Sequence, residues 1–182
     1  MWKALFVVLA AAVVLASCRA KDAADSTGVY NSPEAVHRAM CDAIQGNDWE
    51  KAAGCMDEDS QARLAHRLAF AISWLAKADD QKAMETLATK HGFKLREESD
   101  TSCSEVANKP AFIAELFSFA ETHTPDDDFS ELEKSLTGRL VDLKTAGDEA
   151  TGVIEVEGKD RQRIEFRRID GRWLVHFSEG KL

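Results

Sequence analysis

The sequence predicts an α+β fold, with N-terminal helices packed on a curved antiparallel C-terminal sheet of about four strands. Up to residue 137, apolar residues recur every three to four positions, which is typical of amphipathic helices. After Gly138 the apolar period changes to two, as expected for strands with one buried face. Within that part, Asp170-Gly171 is a preferred residue pair for a two-residue hairpin turn. The helices are then the elements that cover the apolar face of the sheet.

The first two helices are predicted to form a helical hairpin. Ser32-Pro33 is an N-cap followed by a proline at the first helical position, and Gly46 ends the apolar periodicity. Asn47-Asp48 then begins a second short helix that carries Trp49. Because the connection is short, the two helices are expected to pack antiparallel.

Three further helical stretches follow. Residues 60–92 carry an apolar stripe at helical spacing, while Phe70 and Trp74 lie off that stripe, four residues apart. The two aromatic residues widen the apolar face, which predicts a helix that is buried on more than one side. Pro110 begins another helix, and residues 126–136 predict one more, whose acidic start suits the positive end of the helix dipole.

The last hairpin has the best-defined register. A two-residue turn at Asp170-Gly171 sets Phe166 opposite Val175 on the apolar face. The same register sets Glu165 opposite His176 on the other face. A general base with its orienting acid is one interpretation of that pair. The preferred interpretation is an exposed cross-strand ion pair.

The other strands are expected to continue this meander. A loop centred on Lys159 would set Ile154 opposite Ile164, and a turn at Gly147-Asp148 would set Val141 opposite Ile154. The predicted inner face of the sheet is therefore mostly apolar. It consists of Val141, Leu143, Ile154, Val156, Ile164, Phe166, Trp173, Val175 and Phe177.

The first eighteen residues, MWKALFVVLAAAVVLASC, have the layout of an export signal. A single basic residue, Lys3, precedes an apolar run from Ala4 to Ala16 that is shorter than the roughly 20 residues of a spanning helix. The final tetrad, Leu15-Ala16-Ser17-Cys18, resembles the lipobox of bacterial lipoproteins. That resemblance implies cleavage before Cys18 and a diacylglycerol on its sulfur, and the alternative is an ordinary secretory signal with a chance cysteine.

Lipidation would define the organisation of the chain. Two or three acyl chains on Cys18 would hold the protein stably on a membrane. Arg19, in place of an aspartate at that position, implies by analogy with lipoproteins an outer-membrane location, facing the periplasm or the surface. The predicted parts are a signal peptide (1–17), the lipidated cysteine with a flexible tether (18–31), and one α+β domain (32–182), mainly helical over 32–137 and a β-meander over 138–178.

Charge and cysteines narrow the classes of partner. Without residues 1–17, which contain only one basic residue, 22 Lys and Arg remain against 32 Asp and Glu, a formal charge of −10. This argues against nucleic acid and anionic lipid surfaces as partners. Cys41, Cys55 and Cys103 remain, an odd number of thiols. The helical hairpin would bring Cys41 and Cys55 within about one turn of each other, so a bridge between them is the favoured disulfide.

The two ends of the domain carry a family resemblance. The segments SPEAVHRAMCDAIQGNDWEKAAGCM and IEFRRIDGRWLVHF are together similar to the nuclear-transport-factor-2-like superfamily of cystatin-like α+β cones, especially to its small bacterial lipoproteins. The middle of the chain has more helical sequence than that pattern. The resemblance implies a curved sheet that wraps helices around an open, closed or filled cavity.

The candidate site residues follow from that expectation. Ordinary core packing is the preferred interpretation of the aromatic residues, and a ligand cavity is the alternative. The candidate lining of that cavity is Phe70, Trp74, Phe112, Phe117, Phe166, Trp173, Arg139 and Arg168. The resemblance implies that an enzyme of this family would use an Asp, Tyr or His inside the cone. The predicted inner face has no carboxylate, and Tyr30 is placed in the tether. No motif of a metal or cofactor site occurs in the chain, so none is expected.

The expected function is therefore non-catalytic. The first hypothesis is a lipid-anchored envelope protein that binds an apolar ligand, an envelope component or a partner protein. The second is a structural or assembly role in an envelope complex, with the cone filled by side chains. An exposed apolar patch together with a filled cone would favour this hypothesis. An isomerase-like or hydrolase-like enzyme is the third.

Overall fold

The structure, a computed structural model, describes residues 30–94, 105–123, 130–156, 158 and 161–178. Helices precede strands along the chain, as the sequence predicts. The helices are α1 (Pro33–Gln45), α2 (Trp49–Gly54), α3 (Glu58–Leu75), α4 (Ala78–Lys90), α5 (Lys109–His123) and α6 (Ser130–Thr137). The strands are β1 (Arg139–Ala146), β2 (Glu149–Glu155), β3 (Gln162–Ile169) and β4 (Arg172–His176). The last two helices confirm the stretches predicted after Pro110 and over 126–136, of which residues 126–129 lie outside the described part.

Side-chain caps fix where the first three helices begin. The Ser32 hydroxyl accepts a hydrogen bond from the N–H of Ala35, with Pro33 at the first position of α1, which confirms the predicted start. Asp48 caps α2 and Asp57 caps α3 in the same way. In the helical layer α5 packs against both α2 and α3, and the rings of Trp49 and Phe117 stack at 3.6 Å between centroids. These contacts join the helices into one core with the sheet.

The sheet is antiparallel, with the strand order β1-β2-β3-β4. The predicted pairs of the last hairpin are confirmed: Phe166 pairs with Val175 and Glu165 pairs with His176. The predicted register between β2 and β3 is wrong by two residues, since Ile154 pairs with Gln162. The turn centres on Gly158, which has a φ of 75° that a glycine adopts without strain.

A bulge in β1 changes the other predicted register. Val141 pairs with Val153 rather than with Ile154, and the register shifts between Val141 and Lys144. Asp142 takes a positive φ of 53° within the irregular stretch. Leu140 and Leu143, three residues apart, can therefore both pack against the core, which a regular strand would not allow.

The free edge of β4 is partly covered by the segment that leads into α3. The N–H of Val175 donates to the carbonyl of Cys55, and the N–H of Asp57 donates to the carbonyl of Val175. Tyr30, assigned from the sequence to the tether, instead belongs to the domain. Its carbonyl accepts from the N–H of Trp173, its hydroxyl donates to the carbonyl of Gly54, and Arg172 lies over its ring. Residues 18–29 of the predicted tether, which include Cys18, lie outside the described residues.

Candidate docking surface on helix α3

Helix α3 has one buried side and one aromatic exposed side. Leu64, Leu68 and Ile72 are buried in the core, as their spacing predicts. Phe70 and Trp74 lie on the opposite side, 49% and 78% exposed, with ring centroids 6.2 Å apart. The prediction that this helix is buried on more than one side is therefore wrong. Within the described part of the chain, nothing packs over the two rings closely enough to bury them.

The helical segment that carries these rings differs in charge from the whole chain. Residues 60–78 contain no Asp or Glu but include Arg63, Arg67 and Lys77. Arg63 donates from Nη1 to the carbonyl of Phe177, and Arg67 and Lys77 are exposed. We define the outer face of α3 as Arg67, Phe70 and Trp74. This face combines aromatic and basic groups on an otherwise acidic protein.

The eight residues predicted to line a ligand cavity do not come together. Phe112, Phe117, Phe166 and Trp173 are buried in the core, packed against other side chains. Phe70, Trp74, Arg139 and Arg168 are exposed instead. Arg139 pairs with Glu155 at 2.6 Å, and Nε of Arg168 donates to the carbonyl of Gly171. Core packing, the preferred interpretation, accounts for the four buried aromatic residues but not for Phe70 and Trp74.

A polar cluster is buried between α3 and β4. Oδ1 of Asp57 accepts from the N–H of Ser60 at 2.9 Å, and Oδ2 lies 2.6 Å from Nδ1 of His176. The Ser60 hydroxyl in turn accepts from the N–H of Phe177 at 2.8 Å. The expected exposed ion pair between Glu165 and His176 is thus wrong, because the imidazole is buried against Asp57. These groups are engaged within the fold, so the cluster joins a helix start to a strand end.

A second pairing of reactive groups lies on α1. Nε2 of His37 is 3.6 Å from Sγ of Cys41, one turn further along the helix. Burial raises the pKa of the Cys41 thiol to about 11, and burial lowers the pKa of His37. Near pH 7 the thiol and the imidazole are therefore both neutral. Nucleophilic catalysis requires a thiolate instead.

The expected bridge between Cys41 and Cys55 is not formed in the structure, where both are free thiols. Cys41 directs its sulfur towards the carbonyl of Leu136 at 3.8 Å, at the end of α6. Cys55 is buried beside β4, where burial raises its pKa to about 11. Cys103 lies outside the described residues.

The sequence analysis did not identify the contact of His37 with Cys41 or that of Asp57 with His176. The spacing of four residues between His37 and Cys41 was the available signal, since such residues meet on one side of a helix. No local signal pairs Asp57 with His176, which lie 119 residues apart. Among the described residues, no group of three His, Cys, Asp or Glu side chains is placed to hold a metal ion. In the same part of the chain, no helix is long and apolar enough to cross a membrane.

Comparison of the chain with protein-family models, with curated proteins and with solved structures finds no match.

Proposed function

We propose that this protein is a lipid-anchored, non-catalytic component of a bacterial cell envelope, and that its domain docks an envelope component through the outer face of α3. The observation that carries the proposal is the exposure of Trp74 and Phe70 on the side of α3 that faces away from the core. Adjacent exposed aromatic side chains are typical of binding surfaces. The sequence Leu15-Ala16-Ser17-Cys18 supplies the expected site of the anchor.

The interior of the domain supports surface docking over ligand enclosure. The aromatic residues expected around a cavity are used for packing, as in the stack of Trp49 on Phe117. The candidate catalytic groups are likewise occupied: Asp57 and His176 hold α3 to β4, and the Cys41 thiol is protonated at neutral pH. A role that depends on an exposed surface fits these features better than a reaction or a stored ligand.

The anchor is tested by replacing Cys18 with alanine in the full-length chain expressed in a diderm bacterium. Wild type should incorporate labelled palmitate and sediment with membranes, whereas Cys18→Ala should lose both properties. Replacing Cys41 in the same way is the matched control and should leave labelling unchanged. Membrane attachment that persists unchanged in Cys18→Ala would contradict the anchor.

The docking surface is tested by photo-crosslinking in intact cells. Benzoylphenylalanine replaces Trp74, so that an aromatic ring is kept, and replaces Thr122 as an exposed control on α5. Position 74 should give adducts with an envelope component, protein or lipid, and position 122 should give few. Equal, weak labelling at the two positions would refute docking through α3.

A further inference from the structure

Given the anchor proposed above, we infer that the component docked by the outer face of α3 is the surface of the phospholipid bilayer that carries the anchor. The domain would then lie against its own membrane with Phe70 and Trp74 among the headgroups. The opposite side of the molecule would be left free. This inference rests on the proposed function and names the partner of the same site.

The composition of the face suits the headgroup region. Tryptophan and other aromatic residues are enriched in the headgroup region of membranes, because one end of the ring system is apolar and the other can contact the polar headgroups. Basic side chains next to them are attracted to anionic lipids. Around Trp74, residues 60–78 provide Arg63, Arg67 and Lys77 without an acidic residue. The formal charge of the whole chain predicts repulsion from such a surface, whereas the segment 60–78, between the acidic residues 57–59 and 79–80, carries only basic charges.

The size of the face also favours a tethered bilayer contact over a protein interface. With side-chain areas of about 250 Å² for Trp and about 200 Å² for Phe, the exposed fractions leave about 300 Å² of aromatic surface. A stable protein interface buries about 800 Å² of polar and apolar surface on each partner, so the two rings alone would supply less than half of one. A tethered contact needs less, since the anchor keeps the membrane at an effective concentration of about millimolar.

The linker is long enough for this orientation. Tyr30 follows Cys18 by twelve positions and is held at Gly54 and Trp173, close to the start of α3. Such a linker spans at most about 40 Å. Helix α3 has 18 residues, which corresponds to a length of about 27 Å. The far end of α3, where Trp74 lies, can therefore reach the membrane that holds the lipid.

The test uses the mature lipidated protein in vesicles of phosphatidylethanolamine and phosphatidylglycerol in a ratio of about 3:1. Brominated acyl chains in these lipids quench nearby tryptophans. Three tryptophans remain after signal cleavage, and two of them, Trp49 and Trp173, are buried. Quenching by the brominated lipids therefore reports mainly on Trp74. Wild type should be quenched and its emission should shift to the blue, while Trp74→Phe should lose most of the quenching.

Flotation of the same vesicles separates the two proposals. Protein that floats with the vesicles but shows no quenching of Trp74 is anchored and yet does not dock, which overturns the inference and leaves the anchor intact. Discrete protein adducts at position 74 in cells, together with absent quenching, overturn it in favour of a protein partner. Protein that fails to float contradicts the proposed function itself.

Charge variants give a second readout. Arg67→Gln with Lys77→Gln should reduce the docked population by about fivefold for each charge at low salt. The control pair Lys51→Gln with Lys82→Gln removes the same charge from exposed positions outside α3 and should leave quenching unchanged. Equal effects of the two pairs would refute a specific role for the basic groups beside Trp74.

Discussion

Removing the Asp57 carboxylate tests whether the buried polar cluster holds α3 to β4. Asp57 has two contacts, one to the N–H of Ser60 as the helix cap and one to the buried imidazole of His176. Loss of the cap costs about 1 kcal/mol. Loss of the hydrogen bond to His176 adds about 2 kcal/mol, since the charged partner is removed and a buried polar atom is left alone. Asp57→Ala should therefore lower the free energy of unfolding by about 3 kcal/mol.

Asp48 provides the matched control. Its carboxylate caps α2 by accepting from the N–H of Lys51 at 3.1 Å, at an exposed position. Asp48→Ala should cost about 1 kcal/mol, the cap alone. The difference between the two variants isolates the contact with His176. Urea unfolding followed by far-ultraviolet circular dichroism measures both, provided that the denaturant slopes agree.

A double-mutant cycle with His176→Ala completes the measurement. If the pair interacts, Asp57→Ala in the His176→Ala background should cost about 2 kcal/mol less than in wild type. Equal costs for Asp57→Ala and Asp48→Ala, with no coupling to position 176, would refute the assigned role of the cluster.

Three other predictions concern the buried titratable groups and the exposed rings. Since the folded-state pKa values of Cys41 and Cys55 are raised to about 11, their contribution to stability should be lost as pH rises from about 9 to about 11. The double serine variant should show a shallower alkaline decline, and thiol reagents should react slowly with these two cysteines in the folded protein at pH 8, as peptide mapping would show. Because the pKa of His37 is lowered by folding, the unfolded chain binds a proton first as pH falls below about 6.5. The free energy of unfolding should therefore decrease less with falling pH in His37→Gln than in wild type. An identical acid profile of the two proteins would refute this. Phe70→Ser with Trp74→Ser should change the free energy of unfolding by less than about 0.5 kcal/mol, because both rings are exposed; a loss above about 2 kcal/mol would show that they belong to the core.

The parts of the fold that the sequence predicted are those with local causes. The N-cap at Ser32 and the turn at Asp170-Gly171 follow from backbone geometry within a few residues, and both are confirmed. The register of β2 against β3 is not local in this sense, because it depends on how many residues the turn around Gly158 takes up. The bulge at Asp142 likewise has no sequence signature beyond an interrupted apolar alternation.

The candidate site shows the same limit. Helical periodicity identified Phe70 and Trp74 as lying off the main stripe, but periodicity does not tell what covers a second apolar side. In the sequence, an aromatic residue that will be buried and one that will be exposed follow the same pattern, and only the placement of the neighbouring elements distinguishes them. Asp57, the partner of His176, could not be predicted for a related reason. Strand pairing identifies Glu165 as the neighbour of His176 but gives no information on where the start of α3 lies.

The two ends of α3 therefore have separate roles. Its first turn is fixed to β4 by Asp57 and Ser60, while the rings on its last two turns contribute little to the core. Substitutions at the first turn should thus alter stability, and substitutions at Phe70 or Trp74 should alter docking without loss of the fold. Between the two ends, Leu64, Leu68 and Ile72 hold α3 in the core, so the exposed rings are carried by a helix that is packed along its other side. This separation makes a loss of docking in the Trp74 variants attributable to the surface itself.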